Sequence, residues 1–384
     1  MVFVICLGFY ITPQALGGLR DAMLSTFIAA QVETAFNLES IAATAFILLG
    51  IAALVLSTFG LDISGKDALA AQSTRKSWFR GLPSFGTLTR YLNELATPYR
   101  AKRWTANVYQ AGRESLAWKV VGAVFVVLVL SYLLSPCFVV VMMSFSPGAS
   151  LEFPPSSFSL QWYRSFFNDP TWTGAAWMSI QIGIAVAVLS AIIGTLAAYG
   201  FSRTFPRLRS FLTMVVLAPI TFPVIVVGVA VYLGFVSFRL LDTVPGIVLA
   251  HSIGSMSYVV VIVSATLANF DRRLEQAAMS MRAGPAQTFI RVTLPLIRPG
   301  IIGGAVFAFI HSFDEVVITS LVSGFSIRTL PLKMWEDMRH QLDPTIAAVA
   351  SLLMLLPILW LITLYATWWR SRPKARLALP DPGT

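Results

Sequence analysis

Asp271-Arg-Arg-Leu-Glu-Gln-Ala-Ala-Met-Ser-Met-Arg-Ala-Gly284, followed by Val292-Thr-Leu-Pro295, is a polar island in an otherwise apolar sequence. It lies between two apolar runs, each long enough to cross a bilayer. Asp271 predicts an N-cap. Leu274, Ala277, Ala278 and Met281 recur at helical spacing and predict one apolar stripe. Gly284 followed by Pro285 predicts a stop. A second short helix is expected from Ala286 to about Val292, with Leu294-Pro295 and Pro299-Gly300 breaking the chain before the next span. Small alanines on such a helix let another protein approach closely. The alternative is a helix that merely lies among the lipid headgroups.

The surroundings make this a membrane chain. Its 384 residues are 56% hydrophobic and only 12% charged, with a mean hydropathy of +0.74, whereas soluble domains carry about 25% charged residues. Seven apolar runs have spanning length, near 41–60, 118–142, 176–199, 211–236, 246–267, 300–322 and 346–369. Residues 1–11 are too short to span and read as the outer end of a helix whose beginning is absent. The expected fold is an all-α polytopic membrane protein: a six-helix core over 118–370, preceded by that partial helix and one further transmembrane helix.

Charge sets the orientation. Arg203, Arg207 and Arg209 lie in one loop, Arg272, Arg273, Arg282, Arg291 and Arg298 in another, and Arg370, Arg372, Lys374 and Arg376 in the tail. Basic loops stay in the cytoplasm, so the tail, 371–384, is expected there. The formal charge of +10 follows from the same rule, and nucleic-acid binding is not expected. Residues 61–117 form a basic linker with scattered Gly, Pro, Ser and Thr. Cys6 and Cys137 both fall in apolar runs, which argues against a disulfide framework. His251, His311 and His340 show no metal-ligand spacing. No cleavable signal peptide is visible.

There is an internal repeat. Ile11-Thr12, Gly17-Gly18 and Ser40-Ile-Ala-Ala43 parallel Ile318-Thr319, Ser323-Gly324 and Thr345-Ile-Ala-Ala348 at similar intervals. Repeated membrane halves commonly enclose a substrate path.

The island resembles the "EAA" loop of ABC importer permeases, in which Glu-Ala-Ala is followed by Gly and then Ile-x-Leu-Pro. The matching residues are Gln276-Ala277-Ala278 and Val292-Thr-Leu-Pro295, with Glu275 just before. Two departures stand out. Gln276 occupies the motif's Glu position, and the family glycine falls on Arg282, with Gly284 two residues later. Glycine there would allow a positive φ, so a shifted turn is expected. Phe158-Ser-Leu-Gln-Trp-Tyr163, Ala218-Pro-Ile-Thr-Phe-Pro223, Ser312-Phe-Asp-Glu315, Thr329-Leu-Pro331 and Asp343-Pro-Thr-Ile-Ala-Ala348 are similar to the spermidine/putrescine-type branch. Residues 8–18 are similar to the late part of a sister permease, which makes 1–60 a remnant of such a unit. The resemblance implies a type I importer permease in a bacterial inner membrane. Its coupling loop would comprise Glu275, Gln276, Ala277, Ala278, Met281, Gly284, Leu294 and Pro295. It implies two copies of an ABC ATP-binding subunit, an extracytoplasmic solute-binding protein, and a second permease subunit or a second copy of this chain. ATP and Mg would sit on the ATPase, since this chain contains no Gly-x-x-x-x-Gly-Lys-Ser/Thr loop.

Asp314 and Glu315 lie inside the span 300–322. An acid at mid-membrane costs about 2.5–3.5 kcal/mol on insertion scales. At least one of the two is expected to line the path of a small cationic solute such as a polyamine. The alternative is a structural role, pairing with an Arg or capping a helix break. His311 is close enough in sequence to bond either acid. Pro219 and Pro223 fall in one span and predict either a broken helix beside the substrate path or a simple kink. Trp162, Tyr163, Phe166, Phe167, Trp172 and Trp177 read as an outer interfacial belt or a docking surface for a binding protein. The competing function is an ion-coupled secondary transporter or channel that works without an ATPase, which leaves the island unexplained. No catalytic residues or metal set emerge.

Overall fold

The computed structural model describes residues 6, 9, 11–18, 22–34, 38–58, 116–148, 152–324, 326–340 and 343–355. The linker 61–117 (save its last two residues), the second half of the last expected span and the tail 371–384 lie outside the described residues. Among the described residues every regular element is helical. The chain divides into two compact units, one containing residues 1–105 and 174–336 and the other 106–173 and 337–384.

The first unit opens with α1 (Ile11–Leu16), α2 (Leu24–Thr34) and α3 (Leu38–Thr58). It continues through most of α6 (Pro170–Arg203), α7 (Pro206–Thr221), α8 (Val224–Phe238) and α9 (Val244–Ala268). Then come the polar α10 (Arg273–Ser280), the single turn α11 (Pro285–Thr288), a π-helical turn (Phe289–Thr293), α12 (Leu294–Phe313), α13 (Val317–Val322) and most of α14 (Leu330–His340). The second unit holds α4 (Leu116–Met143), α5 (Gln161–Asn168) and α15 (Thr345–Leu355).

Among the described residues five helices are long and apolar enough to cross a membrane, and six if one bent pair counts as a single span. That pair corrects the expected span 211–236. α7 and α8 meet at an angle of 103°. The cause is Pro223, which disfavours helical geometry in the residue before it: Phe222 adopts φ −85°, ψ 153°. Pro219, by contrast, stays inside α7. The expected span 300–322 is also corrected. α12 ends at Phe313 and α13 begins at Val317, so Asp314 and Glu315 sit at a break. At the other end the chain does not break at Leu294-Pro295. One helical run extends from Pro285 to Phe313. Pro295 directly follows the π turn, which lets the Leu294 N–H reach the Phe289 carbonyl and carries the helix past the proline.

α9 is the packing centre. Gly304 of α12 meets Val259 of α9 so closely that an added Cβ would lie 3.2 Å from the Val259 Cα. Gly194 of α6 meets the same valine, at 2.8 Å from its Cβ. One branched side chain is thus held between two glycines. Small residues permit such close approach where lipid offers no hydrophobic drive between helices. Ala198, Val260, Val263, Leu267, Ile297 and Ala308 complete this core.

The two stretches of the sequence repeat carry helices of matching length in the same order. α1 and α13 are both 6 residues long, and α2 and α14 are both 11. The interval from Ile11 to Leu24 equals that from Val317 to Leu330. Both short helices close on the same bond, Gly17 N–H to Pro13 O and Ser323 N–H to Thr319 O, each 2.8 Å. α3 buries a seam of Ile41, Ala45, Leu48 and Ala52. α8 packs against α3 and also against α13.

The aromatic cluster divides into packed and exposed members. In the second unit Trp172 is 1% exposed. Trp162 donates its Nε1–H to the Ser146 carbonyl (2.8 Å), and the Tyr163 hydroxyl lies 2.7 Å from both Ser144 and Ser351. Trp162, Tyr163, Phe166 and Trp172 are thus packed or hydrogen-bonded within the unit, while Phe167 and Trp177 remain exposed.

Substituting Gly304→Leu is expected to force α9 and α12 apart at a cost of about 1–3 kcal/mol. The measurement is thermal unfolding of the detergent-solubilised protein, where an unchanged midpoint would contradict this packing.

Candidate functional site

Two places concentrate polar chemistry. The first is α10. The Asp271 side chain accepts the Arg273 N–H at 2.9 Å, so it caps the helix as expected, although Arg272 is the residue immediately before it. At the far end Ala283 N–H reaches the Ala278 carbonyl (3.1 Å) and Arg282 N–H reaches Met279 (3.0 Å). This is a Schellman ending, which needs a left-handed residue. Arg282 supplies it, with φ +63°. The turn is therefore not shifted towards Gly284, whose φ is −68°; Arg282 adopts the conformation a glycine would take.

The expected stripe of Leu274, Ala277, Ala278 and Met281 is divided. Ala278 points inward, while Leu274, Gln276, Ala277 and Met281 are exposed, Met281 by 79%. The inward face is completed by Glu275, which is 3% exposed. Both its carboxylate oxygens receive the Arg203 guanidinium from the end of α6. One also accepts from the Thr293 hydroxyl. Arg203 lies over the Tyr199 ring, 4.8 Å from its centroid. Arg272 donates to the Ser202 carbonyl at 2.6 Å. The polar helix is thus fastened from behind to α6 and to the π turn, with Leu274, Ala277 and Met281 turned outward. Pro295 is exposed and Leu294 partly buried where the run enters α12.

Burial pushes the Glu275 carboxyl up. The hydrogen bonds from Arg203 and Thr293 and the charges of Arg203 and Arg272 outweigh it, and the group titrates below the ordinary carboxylate range.

The second place is the break between α12 and α13. Tyr258, Phe307, Ile310, His311, Asp314 and Glu315 line a cavity of about 380 Å³. The two acids differ. Glu315 accepts the Ile318 N–H at 2.9 Å and so caps α13. Asp314 is exposed and its carboxylate makes no hydrogen bond or ion pair among the described residues. His311 bonds neither acid. It packs against Tyr258, ring centroids 5.0 Å apart, and its buried Nδ1 has no partner. Pro219 and Pro223 are not among the residues lining this cavity. Pro223 instead starts α8, whose Gly228 accommodates Leu321 of α13.

Sequence reading missed His251. It is fully buried in α9, with Nδ1 2.9 Å from the Ser312 hydroxyl and Nε2 2.9 Å from the Thr319 hydroxyl. Its partners lie 61 and 68 residues away. No local pattern reports such a contact.

Several membrane-length helices, an outward-facing polar helix between two of them and a polar break inside another define a multi-pass transport subunit. The chain belongs to the family of binding-protein-dependent transport system inner membrane components, whose pattern matches residues 190–372. It is 33% identical over 245 residues to the putrescine transport system permease protein PotI of Escherichia coli K12, a match covering 62% of this chain and 85% of that one. It is 29% identical to the spermidine/putrescine transport system permease protein PotC of Haemophilus influenzae, covering 61% of this chain and 91% of the relative. It is also 28% identical to the trehalose transport system permease protein SugB of Mycobacterium tuberculosis, covering 55% and 78%. Its fold matches a chain of a bacterial ABC transporter involved in the import of the acidic polysaccharide alginate, with a TM-score of 0.53 at 16% identity over 67% of this chain and 97% of the other. The chain is a permease subunit of an ABC importer and a multi-pass inner-membrane protein.

The Glu275 tie yields a prediction. Glu275→Gln keeps an acceptor for Thr293 but removes the charge facing Arg203, at a cost of about 1–3 kcal/mol. Hydrogen-exchange protection over residues 272–283 is expected to fall in this variant at neutral pH. In the unsubstituted protein the tie is fully present above the unfolded carboxyl value of about 4.3. It is lost only as pH drops through the lower value of the folded state. Equal protection in both proteins at pH 7 would refute the anchoring role.

Proposed function

We propose that this chain moves a small cationic solute, of the polyamine class, from an extracytoplasmic binding protein into the cytoplasm by alternating access driven by a separate ATPase. The observation that carries the reading is α10, an Ala-rich helix held from behind by Arg203, Glu275 and Thr293 and open in front at Leu274, Gln276, Ala277 and Met281. A helix fixed to the spans on one face can transmit a push applied to the other. The basic loops support a cytoplasmic position for it, and for the linker 61–117 and the tail. Gln276, Ala277 and Met281 make the contact with the ATPase. Glu275, Leu294 and Pro295 carry the motion into α12, and Arg282, with Gly284, closes the turn. This chain binds no cofactor; ATP and Mg act on two copies of the partner ATPase. The second membrane half comes from another permease or a second copy of this chain.

The solute passes the break between α12 and α13. Asp314 is the free carboxylate there, and Tyr258 adds an aromatic wall suited to a cation. The relatives named for putrescine and spermidine support a cationic solute. Of the two structural alternatives for the acids, helix capping describes Glu315, and pairing with an Arg describes neither. Pro223 shapes the neighbouring α8 rather than the cavity wall, and Pro219 has no role in this reading. The repeat of α1 and α2 by α13 and α14 supports reading residues 1–60 as the closing elements of a second permease unit, joined by 61–117 to the core at 118–370.

Two outcomes follow in proteoliposomes containing the ATPase and binding protein. Ala277→Trp is expected to abolish ATP-driven uptake while the variant still inserts and folds, because its site faces outward. Asp314→Asn is expected to lower putrescine uptake about tenfold, the loss of one charge-assisted bond. Undiminished uptake in sealed vesicles that contain no ATPase would overturn the reading and favour an ion-coupled transporter.

A further inference from the structure

His251 lies outside the cavity wall, yet it touches both helices that frame the break. Its hydrogen bonds run in one direction. The Thr319 hydroxyl has a single proton and gives it to the Glu315 carbonyl at 2.7 Å. Towards His251 it can therefore only accept. That fixes the proton on Nε2 and leaves Nδ1 to accept from the Ser312 hydroxyl. The chain reads Ser312 O–H to Nδ1, Nε2–H to Thr319 Oγ1, and Thr319 O–H to the Glu315 carbonyl. Every member is used. Ser312 ends α12, Thr319 lies in α13, and Glu315 stands between them with its side chain capping α13 at Ile318.

We infer that His251 is a positioning residue: by bridging Ser312 to Thr319 across the break, it fixes the angle between α12 and α13 and hence the direction in which Asp314 faces the cavity. The inference rests on the reading of that cavity as a passage for cations. A break of three residues between two helices is otherwise a hinge. His251 stands on α9, the most deeply packed helix of the unit, so it refers the hinge to a rigid part of the molecule. The arrangement also explains the burial of three polar side chains in an apolar region, where each unmet bond costs about 1–3 kcal/mol. Their bonds are spent on each other and on the backbone of the break.

The test reads the field of Asp314 directly. In the full chain with Cys6→Ser and Cys137→Ser, a reporter cysteine replaces Ile310, which lines the cavity and is exposed to it. Its rate of modification by a cationic methanethiosulfonate is divided by the rate for a neutral one of similar size. Thr319→Val keeps the shape of the side chain but removes the hydroxyl, and Thr319→Ser keeps the hydroxyl. The ratio is expected to fall about fivefold in Thr319→Val and to stay near the parent value in Thr319→Ser. His251→Ala is expected to lower it at least as far, and the Thr319 pair keeps the test decisive should that variant fail to fold. Asp314→Asn is measured in parallel. If it lowers the ratio and Thr319→Val does not, the positioning role of His251 is wrong and the cavity reading stands. If Asp314→Asn leaves the ratio unchanged, the cavity reading itself fails.

Discussion

A chain interrupted inside a bilayer must bond its own loose ends, because no water is there to do so. This constraint shapes both breaks, and they meet it differently. At Phe222–Pro223 the backbone is nearly sufficient. Phe222 N–H returns to the Ala218 carbonyl and Val226 N–H to that of Pro223, each at 2.9 Å. At Asp314–Val316 side chains are required. Glu315 supplies the cap, Thr319 meets the Glu315 carbonyl, and His251 holds Thr319. The first solution is apolar and produces a bend. The second concentrates polar groups where lipid would otherwise expel them, and a cavity lined by Tyr258, Phe307, Ile310, His311 and the two acids lies beside it. Polar side chains gather at the second break for this reason.

Length and composition made the spans legible. Runs of spanning length appear as helices over Leu38–Thr58, Leu116–Met143 and Val244–Ala268, within a few residues of the bounds of the apolar runs. The breaks were only half legible. Two prolines in one span announce an interruption, yet only the clash of Pro223 with Phe222 decides which of them makes it. The acid pair announced a special place inside a span, but not which acid is committed to the backbone. That depends on Ile318 N–H being unsatisfied at the start of α13, a fact of the fold. His251 was invisible because its partners come from another part of the chain. The same holds for Glu275. Its direction is set by Arg203, 72 residues away, whereas an apolar stripe drawn on an eight-residue helix takes its inward face from local pattern alone. The helix is too short and too polar for that pattern to govern.

Arg282 shows that the local geometry of the loop is held by bonds rather than by residue identity. A left-handed non-glycine residue costs roughly 1–2 kcal/mol. Here the Schellman pair from Ala283 and Arg282 secures the end of α10, while Asp271 secures its start. With both ends bonded and Glu275 clamped, the backbone has no cheaper path. An arginine therefore stands where a glycine would be easier, and its charge is added to a surface already basic with Arg272 and Arg273.

The substrate question turns on charge rather than fold. The same architecture serves a transporter of an acidic polysaccharide, and relatives of similar identity are named for putrescine, spermidine and trehalose. Helix packing therefore does not select the solute. Selection must come from groups that can differ while the packing stays constant, and in the function proposed above the break between α12 and α13 is such a place. Its cap demands an acceptor at Glu315 that Gln could equally provide, so the fold does not require a negative charge at that position. It demands nothing of the Asp314 side chain: only the backbone N–H of that residue is used, reaching the Ile310 carbonyl at 3.1 Å. A carboxylate that the fold does not use, left facing a cavity inside a membrane, has a desolvation cost with no structural return. A passing cation is the partner that would offset that cost.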